Sequence, residues 1–434
     1  MSKTDDLIKS YEDKCAGIGS SADPETLKRL AVDGQDPALA LSPKSHAEVS
    51  AVLAWASEQG VSLVPRGAGT KLALGSPMDE GAEFVVLSLG GLDQICEHDA
   101  DNLTVTVECG VTVAGLQKRV AEKRQLLPLD PPRLEQATIG GVLAANSSGP
   151  RRLLYGSARD LVLGMKVVTP DGTLIKCGGK TVKNVAGYDM SKLFIGSMGT
   201  LGVLVEATLR LVPLPTTAQT VVLTFDGLDA AADAVAAVLS SFLLPSAVEL
   251  INPAAAGRLF DRVSVPMAGR HAVVVLFEGF QDAVDRQVRE IRKGPCTQSL
   301  EIPKDKEESL WGQIRDLVPA ETDTVRCKVS VPISNVRDIA ASCERHAAAV
   351  LSHAGSGIVH AVLSGDCERP AEAVAELRRQ AAELGGSLVV EMAPPELKAE
   401  VGVWGDVGSP RGLMQSIRQA FDPKGILNPG RFAV

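Results

Sequence analysis

Apolar positions along this 434-residue chain follow two spacings, and the mixture changes partway. Val49, Val52, Leu53 and Ala56 recur at helical spacing behind the capping pattern Ser45-x-x-Glu48, and Gly60 is placed to stop that helix. Short runs of strand-forming residues follow at 61–64, 84–89, 94–98 and 103–108, and a helix is predicted from its cap Thr112 to about Lys123. Residues 126–160 hold too many Gly, Pro, Ser and Asn for a simple linker. Runs at 162–169 and 173–177 flank Pro170-Asp171-Gly172 and predict a hairpin, with a further strand over 201–212.

After the sequence LVPLPTT at 211–217, strands and helices alternate. Strands are predicted at 220–225, 247–251, 272–278, 357–363 and 387–392. Helices fall near 229–243, 282–292, 336–352 and 371–384, the last bracketed by Pro370 and Gly385-Gly386. A last helix near 411–420 precedes FDPKGILNPGRF. The chain thus divides into a polar N-terminal extension (1–40) that reads as peripheral, an α+β domain (41–215), a second α+β domain (216–400) and a C-terminal segment (401–434).

Composition narrows the function classes. Apolar residues make up 45% and charged residues 22%, an ordinary globular balance. The net charge of −9 and the lack of any long basic run argue against nucleic-acid binding. The longest uncharged apolar stretch, Ala234 to Val248, is interrupted by Pro245 and falls short of the roughly 20 residues a membrane span needs. The N-terminus MSKTDDLIKSYEDKC has acids where an export signal needs an apolar core, so a cytoplasmic protein is expected, reaching a membrane only through partners. No two of the eight cysteines lie closer than 13 positions, so neither a zinc ribbon nor a ferredoxin-type cluster has its ligands, and free, mostly buried thiols are expected.

Three glycine-rich segments carry the chemistry. PRGAGTKL at 65–72 follows a predicted strand, and Gly67 and Gly69 let successive backbone N–H groups approach one anion. Thr70 adds a hydroxyl, and Arg66 and Lys71 add charge, so a diphosphate is the natural ligand. The nicotinamide pattern G-x-G-x-x-G is not met, because position 72 is Leu. A second segment places Gly140 and Gly141 beside Thr138, with Asn146, Ser147, Ser148 and Gly149 after them. The third, KTVKNVAGYDMSKLFIGSMGTLG, spans 180–202.

The order PRGAGT, ATIGG…N, YG, TPDG, GYD, GS-x-GTLG and finally ILNPGRF resembles the FAD-linked oxidase family, whose flavin-binding fold is that of vanillyl-alcohol oxidase and para-cresol methylhydroxylase. Within it, KTVKNVAGYDMSKLFIGSMGTLG is most similar to the FAD-binding E subunit of glycolate oxidase: catalytic D-type subunits usually carry Glu where Met198 stands here. The resemblance implies an α+β fold, with a two-lobed PCMH-type FAD-binding domain, an α+β cap domain built on an antiparallel sheet, and a C-terminal segment returning to the FAD domain. It also implies a cofactor site. Pro65, Arg66, Gly67, Ala68, Gly69, Thr70, Lys71 and Leu72 would wrap the FAD diphosphate. Pro131, Thr138, Ile139, Gly140, Gly141, Asn146, Ser147, Gly149, Tyr155 and Gly156 would border the flavin and ribityl chain. Gly199, Gly202 and Val203 would meet the cofactor through backbone groups, joined by Asn428 of the tail. Neither 65–72 nor 128–160 holds a His or Cys, so the FAD is expected to be non-covalent.

D-2-hydroxyacid dehydrogenases of this family bind a divalent metal through two histidines and a Glu, and a histidine after that Glu takes the substrate proton. The corresponding residues here are His353, His360 and Glu391, with Met392 in the place of the proton acceptor and Ser356 and Ile358 replacing two polar motif residues. The set therefore reads as a vestige of a metal site, and the base as lost. Arg326, Lys328 and Arg411 are candidates for drawing in a carboxylate, against a plainer reading as solvated surface charge. The function implied is an FAD-binding subunit of a glycolate oxidase-type 2-hydroxyacid dehydrogenase. Its partners would be a catalytic D-type flavoprotein subunit and an iron–sulfur subunit. A self-sufficient lactate or glycolate dehydrogenase and a non-catalytic electron-transfer or scaffolding subunit are the alternatives.

Overall fold

The computed structural model describes residues 3–180, 188–260, 269–317, 324–346, 348–363 and 367–434. The predicted helix at 46 forms as His46–Gln59, with the Ser45 hydroxyl accepting from Glu48 N at 3.2 Å and Gly60 in the left-handed region at φ 69°. The first domain has two lobes. One is a four-stranded sheet in the order Gly19–Ser21, Leu39–Ser42, Phe84–Ser88, Ser62–Arg66, its last three strands parallel. The other is an antiparallel five-stranded sheet: Ile95–Asp99, Thr104–Glu108, Val203–Arg210, Val162–Val168, Leu174–Gly178.

Of the N-terminal extension 1–40, read as peripheral, the described residues are built into the first lobe. Tyr11 and Cys15 are buried in its core, and Gly19–Ser21 pairs with Leu39–Ser42. Their apolar residues are too widely spaced to advertise this, because the lobe supplies most of the core around them. The C-terminal tail returns to the same lobe: Leu63 N donates to Ile426 O and Asn428 N to Leu63 O, and both Ile426 and Leu427 are buried there.

The second domain is one antiparallel eight-stranded sheet. Its order is Gln298–Glu301, Thr217–Phe225, His271–Gly279, Ala247–Ile251, Ala349–His353, Ile358–Leu363, Val325–Ser330, Ser387–Met392. Alternation sorts the side chains. Val221, Leu223, Val273, Val275, Val359 and Ala361 share one core with helices Leu228–Leu239, Gln281–Ile291, Val336–Arg345 and Pro370–Glu383. Val222, Val274, Ala349, Leu351 and Val362 point the other way, against Pro253–Phe260 and Lys304–Arg315. The helix expected over 336–352 stops at Arg345, and Ala349–His353 is a central strand. Alanines suit either state, and burial of that run on both faces decides for the strand.

Candidate active site

The strand Ser62–Arg66 runs straight into the glycine-rich turn. Pro65 through Leu72, with Leu74, Thr138, Gly141, Ala144, Ala145, Met198, Asn428 and Arg431, line one groove of about 590 Å³. Gly69 has φ +78°, and a Cβ on Gly67 would lie 2.1 Å from Thr138 Oγ1, so neither position admits a side chain without disturbance. Asn146, Met198 and Asn428 all hold positive φ (46°, 55° and 44°), a cluster of backbone strain at one place. Asn428 Nδ2 donates to Met198 O at 2.7 Å and fixes that turn. Asn146 Oδ1 is buried and has no hydrogen-bond partner among the described residues, so an acceptor is left for a ligand. These features fit FAD: backbone N–H groups and Thr70 for the diphosphate, Asn146 for a donor on the ring system.

The groove opens into a larger cleft of about 900 Å³ between the domains, and Lys71, Leu74, Ala145 and Met198 line both. Asn146, Ser147 and Gly149 line the cleft from the first domain. The remaining predicted cofactor residues divide. A Cβ on Gly199 would touch Asn428 Nδ2 at 3.2 Å, beside the groove. Ile139 and Val203 are core residues, Gly140 packs on Cys109, and Gly202 packs on Val167. Pro131, Tyr155 and Gly156 fall outside both linings. Residues 181–187 of the third segment lie outside the described residues.

The far wall of the cleft is the uncovered part of the cap sheet. Alternation puts Glu249, His353, His360, Arg326, Lys328 and Glu391 on the same face as Leu351 and Val362. His353 Nδ1 lies 2.8 Å from Glu249, itself fully buried on the neighbouring strand. The rings of His353 and His360 meet edge to face at 5.2 Å. His360 Nδ1 lies 3.4 Å from both Arg326 Nη2 and Glu391 Oε2, and Arg326 Nε lies 2.9 Å from Glu391. Burial pushes His360 down to about 3 against the pull of Glu391, so it is neutral. Burial would raise Glu391, but Arg326 foremost, then His360 and Lys71, holds it well below the usual carboxylate range. Burial raises Glu249 against the opposing pull of His353. Lys71 and Lys328 are pushed down by burial.

His353, His360 and Glu391 therefore meet as the resemblance implied, but the surroundings do not suit a divalent cation. Glu391 is already paired with Arg326, and Lys71 and Lys328 add positive charge where a dication would sit. Among the described residues no group of three or more His, Cys, Asp and Glu side chains is arranged to hold a metal. Of the three candidate carboxylate-binding cations, Arg326 and Lys328 line the cleft, while Arg411 pairs with Asp406 at the surface.

Sequence reasoning missed a brace behind the groove. Asp33 binds Lys398 Nζ at 3.0 Å and also pairs with Arg431, all three side chains nearly fully buried. Lys398 also donates to Ala73 O, and Arg431 to Leu72 and Leu74 carbonyls, so one carboxylate from the N-terminal segment locks the end of the glycine-rich loop. Asp33→Asn leaves two buried cations short of a counter-charge, a change worth about 3–5 kcal/mol. A lower melting temperature and a reduced flavin-to-protein ratio are expected; a ratio equal to wild type would contradict the brace.

Residues 37–178 match the FAD binding domain family, and residues 214–432 match the family described as FAD linked oxidases, C-terminal domain, which alone spans half the chain. The chain belongs to the FAD-linked oxidases. The glycolate oxidase subunit GlcD of Bacillus subtilis is 33% identical over 420 residues, covering 91% of this chain and 88% of that protein. The D-lactate dehydrogenase of Archaeoglobus fulgidus is 31% identical, covering 94% of each. The crystal structure of p-cresol methylhydroxylase with substrate bound superimposes with a TM-score of 0.74 at 18% identity, covering 98% of this chain and 96% of that one, which bears on the fold alone. The PCMH-type α+β fold read from the sequence is thus observed, and this FAD-linked oxidase is an oxidoreductase. No helix among its described residues is long and apolar enough to cross a membrane.

Proposed function

We propose that this chain is the FAD-binding subunit of a glycolate oxidase-type complex, in which electrons from a 2-hydroxy acid leave through the flavin to an iron–sulfur partner. The observation that carries the reading is the cation-lined cleft opening directly from the cofactor groove. Bound FAD would supply a hydride acceptor. Arg326 and Lys328, held in register on one strand, would bind and orient the acid's carboxylate, while the cap sheet over the groove excludes water. Two relatives named as a glycolate oxidase subunit and a D-lactate dehydrogenase support the substrate class. The sequence has no cysteine pair spaced for a cluster, which supports a separate electron-accepting subunit.

The buried Glu249–His353 pair favours a second reading, the self-sufficient dehydrogenase. A carboxylate holding Nδ1 leaves Nε2 of His353 free to accept a proton in the cleft. Reconstitution separates the two: glycolate-driven dye reduction should require added D-type and iron–sulfur subunits, and full activity without them would replace the first reading with the second. A complex that keeps full activity when this chain is stripped of flavin would instead leave it a scaffold.

The FAD should be tightly held yet dissociable, since the groove lining contains neither His nor Cys. Acid precipitation should move the yellow flavin into the supernatant; colour retained by the washed pellet would refute this.

A further inference from the structure

The cap wall of the cleft differs on its two sides. Lys328 stands between His360 on one adjacent strand and Val389 on the other. The first side is polar, since His360 is followed there by His353 and buried Glu249. The second side is apolar: Val389 lines the cleft, and its strand, Ser387–Met392, is the last of the sheet. An acid whose carboxylate sits on Arg326 and Lys328 would have its hydroxyl toward the histidines and any further group on C2 toward Val389.

That apolar side ends on Trp404. The free edge of Ser387–Met392 is covered by the chain that follows Pro395–Val401: Val390 N donates to Val403 O at 2.9 Å, and Trp404 comes next. Trp404 is the one Phe, Tyr or Trp among the described residues that lines the cleft. The other two tryptophans, Trp55 and Trp311, are buried in cores. Trp404 is pinned from several sides. Its Nε1 donates to Arg431 O at 2.9 Å, and its ring meets Phe432 edge to face at 5.0 Å. Gly402 and Gly405 bracket it at φ 66° and 70°, and the Arg378 guanidinium donates to Val401 O and, at 2.7 Å, to Gly402 O. Arg431 is in turn paired with Asp33. A ring fixed to the cap edge, to a cap helix and to the tail does not swing aside for a larger ligand.

We propose that Trp404 is a specificity-determining residue: its indole closes the apolar side of the cleft and holds the group on C2 of the 2-hydroxy acid to the size of a methyl. This rests on the reading of the cleft as a carboxylate-binding site.

The test is calorimetric titration of the FAD-loaded full-length chain without oxygen, with tryptophan fluorescence followed in parallel. The probes are glycolate, which has no further group on C2, D-lactate and D-3-phenyllactate. D-Lactate should bind about tenfold or more tighter than D-3-phenyllactate, and Trp404→Ala should shrink that ratio by about tenfold. D-Lactate should also change the tryptophan fluorescence of the wild-type chain, because Trp404 alone of the three tryptophans faces the cleft. Trp404→Phe should keep the preference for D-lactate and lose that response, a pair of results that a merely structural role would not give. Similar Kd values for D-lactate and D-3-phenyllactate in the wild-type chain overturn the proposal, and so does a ratio that survives Trp404→Ala; in both cases the carboxylate reading stands. If none of the three acids binds the wild-type chain, the carboxylate reading falls and the proposal with it. Flavin content and melting temperature check each variant. Should Trp404→Ala lose its flavin, Trp404→Phe decides: a fluorescence response that persists there while D-lactate binds overturns the proposal.

Discussion

Gly67→Val should yield a protein without bound flavin and with reduced stability. The first added atom would sit 2.1 Å from Thr138 Oγ1, closer than real side chains pack, and a tight 3.1 Å from its Cβ and Cγ2. Thr138 cannot simply turn away, because its hydroxyl caps the next helix by accepting from Gly141 N at 3.3 Å. Either the diphosphate loop shifts or the cap breaks, and each disturbs the groove that both line. Gly69→Val differs in kind. It forces a β-branched residue to φ +78°, at a cost of about 1–3 kcal/mol, and crowds the Arg66 guanidinium, which is flexible enough to move. The expected order of flavin loss is therefore Gly67→Val, then Gly69→Val, read from visible absorbance against protein after gel filtration. Normal occupancy in both valine variants would refute the diphosphate assignment.

What the sequence discloses depends on whether a signal is local. The Ser45 and Thr112 caps, the Gly60 stop and the 162–178 hairpin rest on neighbours within a few positions, and all were legible. So was the glycine-rich turn after Arg66, where Gly69 holds φ +78° and Gly67 has no room for a side chain. The extent of the helix after Val336 was not, since sheet burial outweighs the helix preference of alanine. The far wall of the cleft was half legible. Arg326 and Lys328 flank Cys327, whose burial on the opposite face shows the alternation. The sequence left open whether those two cations face a carboxylate or solvent, because period-2 patterning does not say which face is covered by another domain; both line the cleft. Glu249 and Asp33 carried no local signal. Their partners are 104 and more than 300 positions away, and only the folded chain brings them together.

The isolated, FAD-loaded chain should stay oxidised when glycolate or D-lactate is added without oxygen. Oxidising a 2-hydroxy acid requires the hydroxyl proton to leave as the hydride does, and a positioned base is typically worth about 10²–10⁴-fold. Met392 stands where resembling dehydrogenases place their proton-accepting histidine. It lies beside Arg326 and Glu391 in a smaller pocket next to the cleft, and a thioether accepts no proton. His360 cannot replace it, because burial pushes it down to about 3 and its Nδ1 faces Arg326. Nor can Glu391, whose affinity for a proton is suppressed by Arg326 beside it. Rapid bleaching by any of these acids would place the proton on His353, whose Glu249 partner could support an imidazolium. His353→Gln should then abolish the bleaching while leaving flavin bound, and the self-sufficient dehydrogenase would become the right description of this chain.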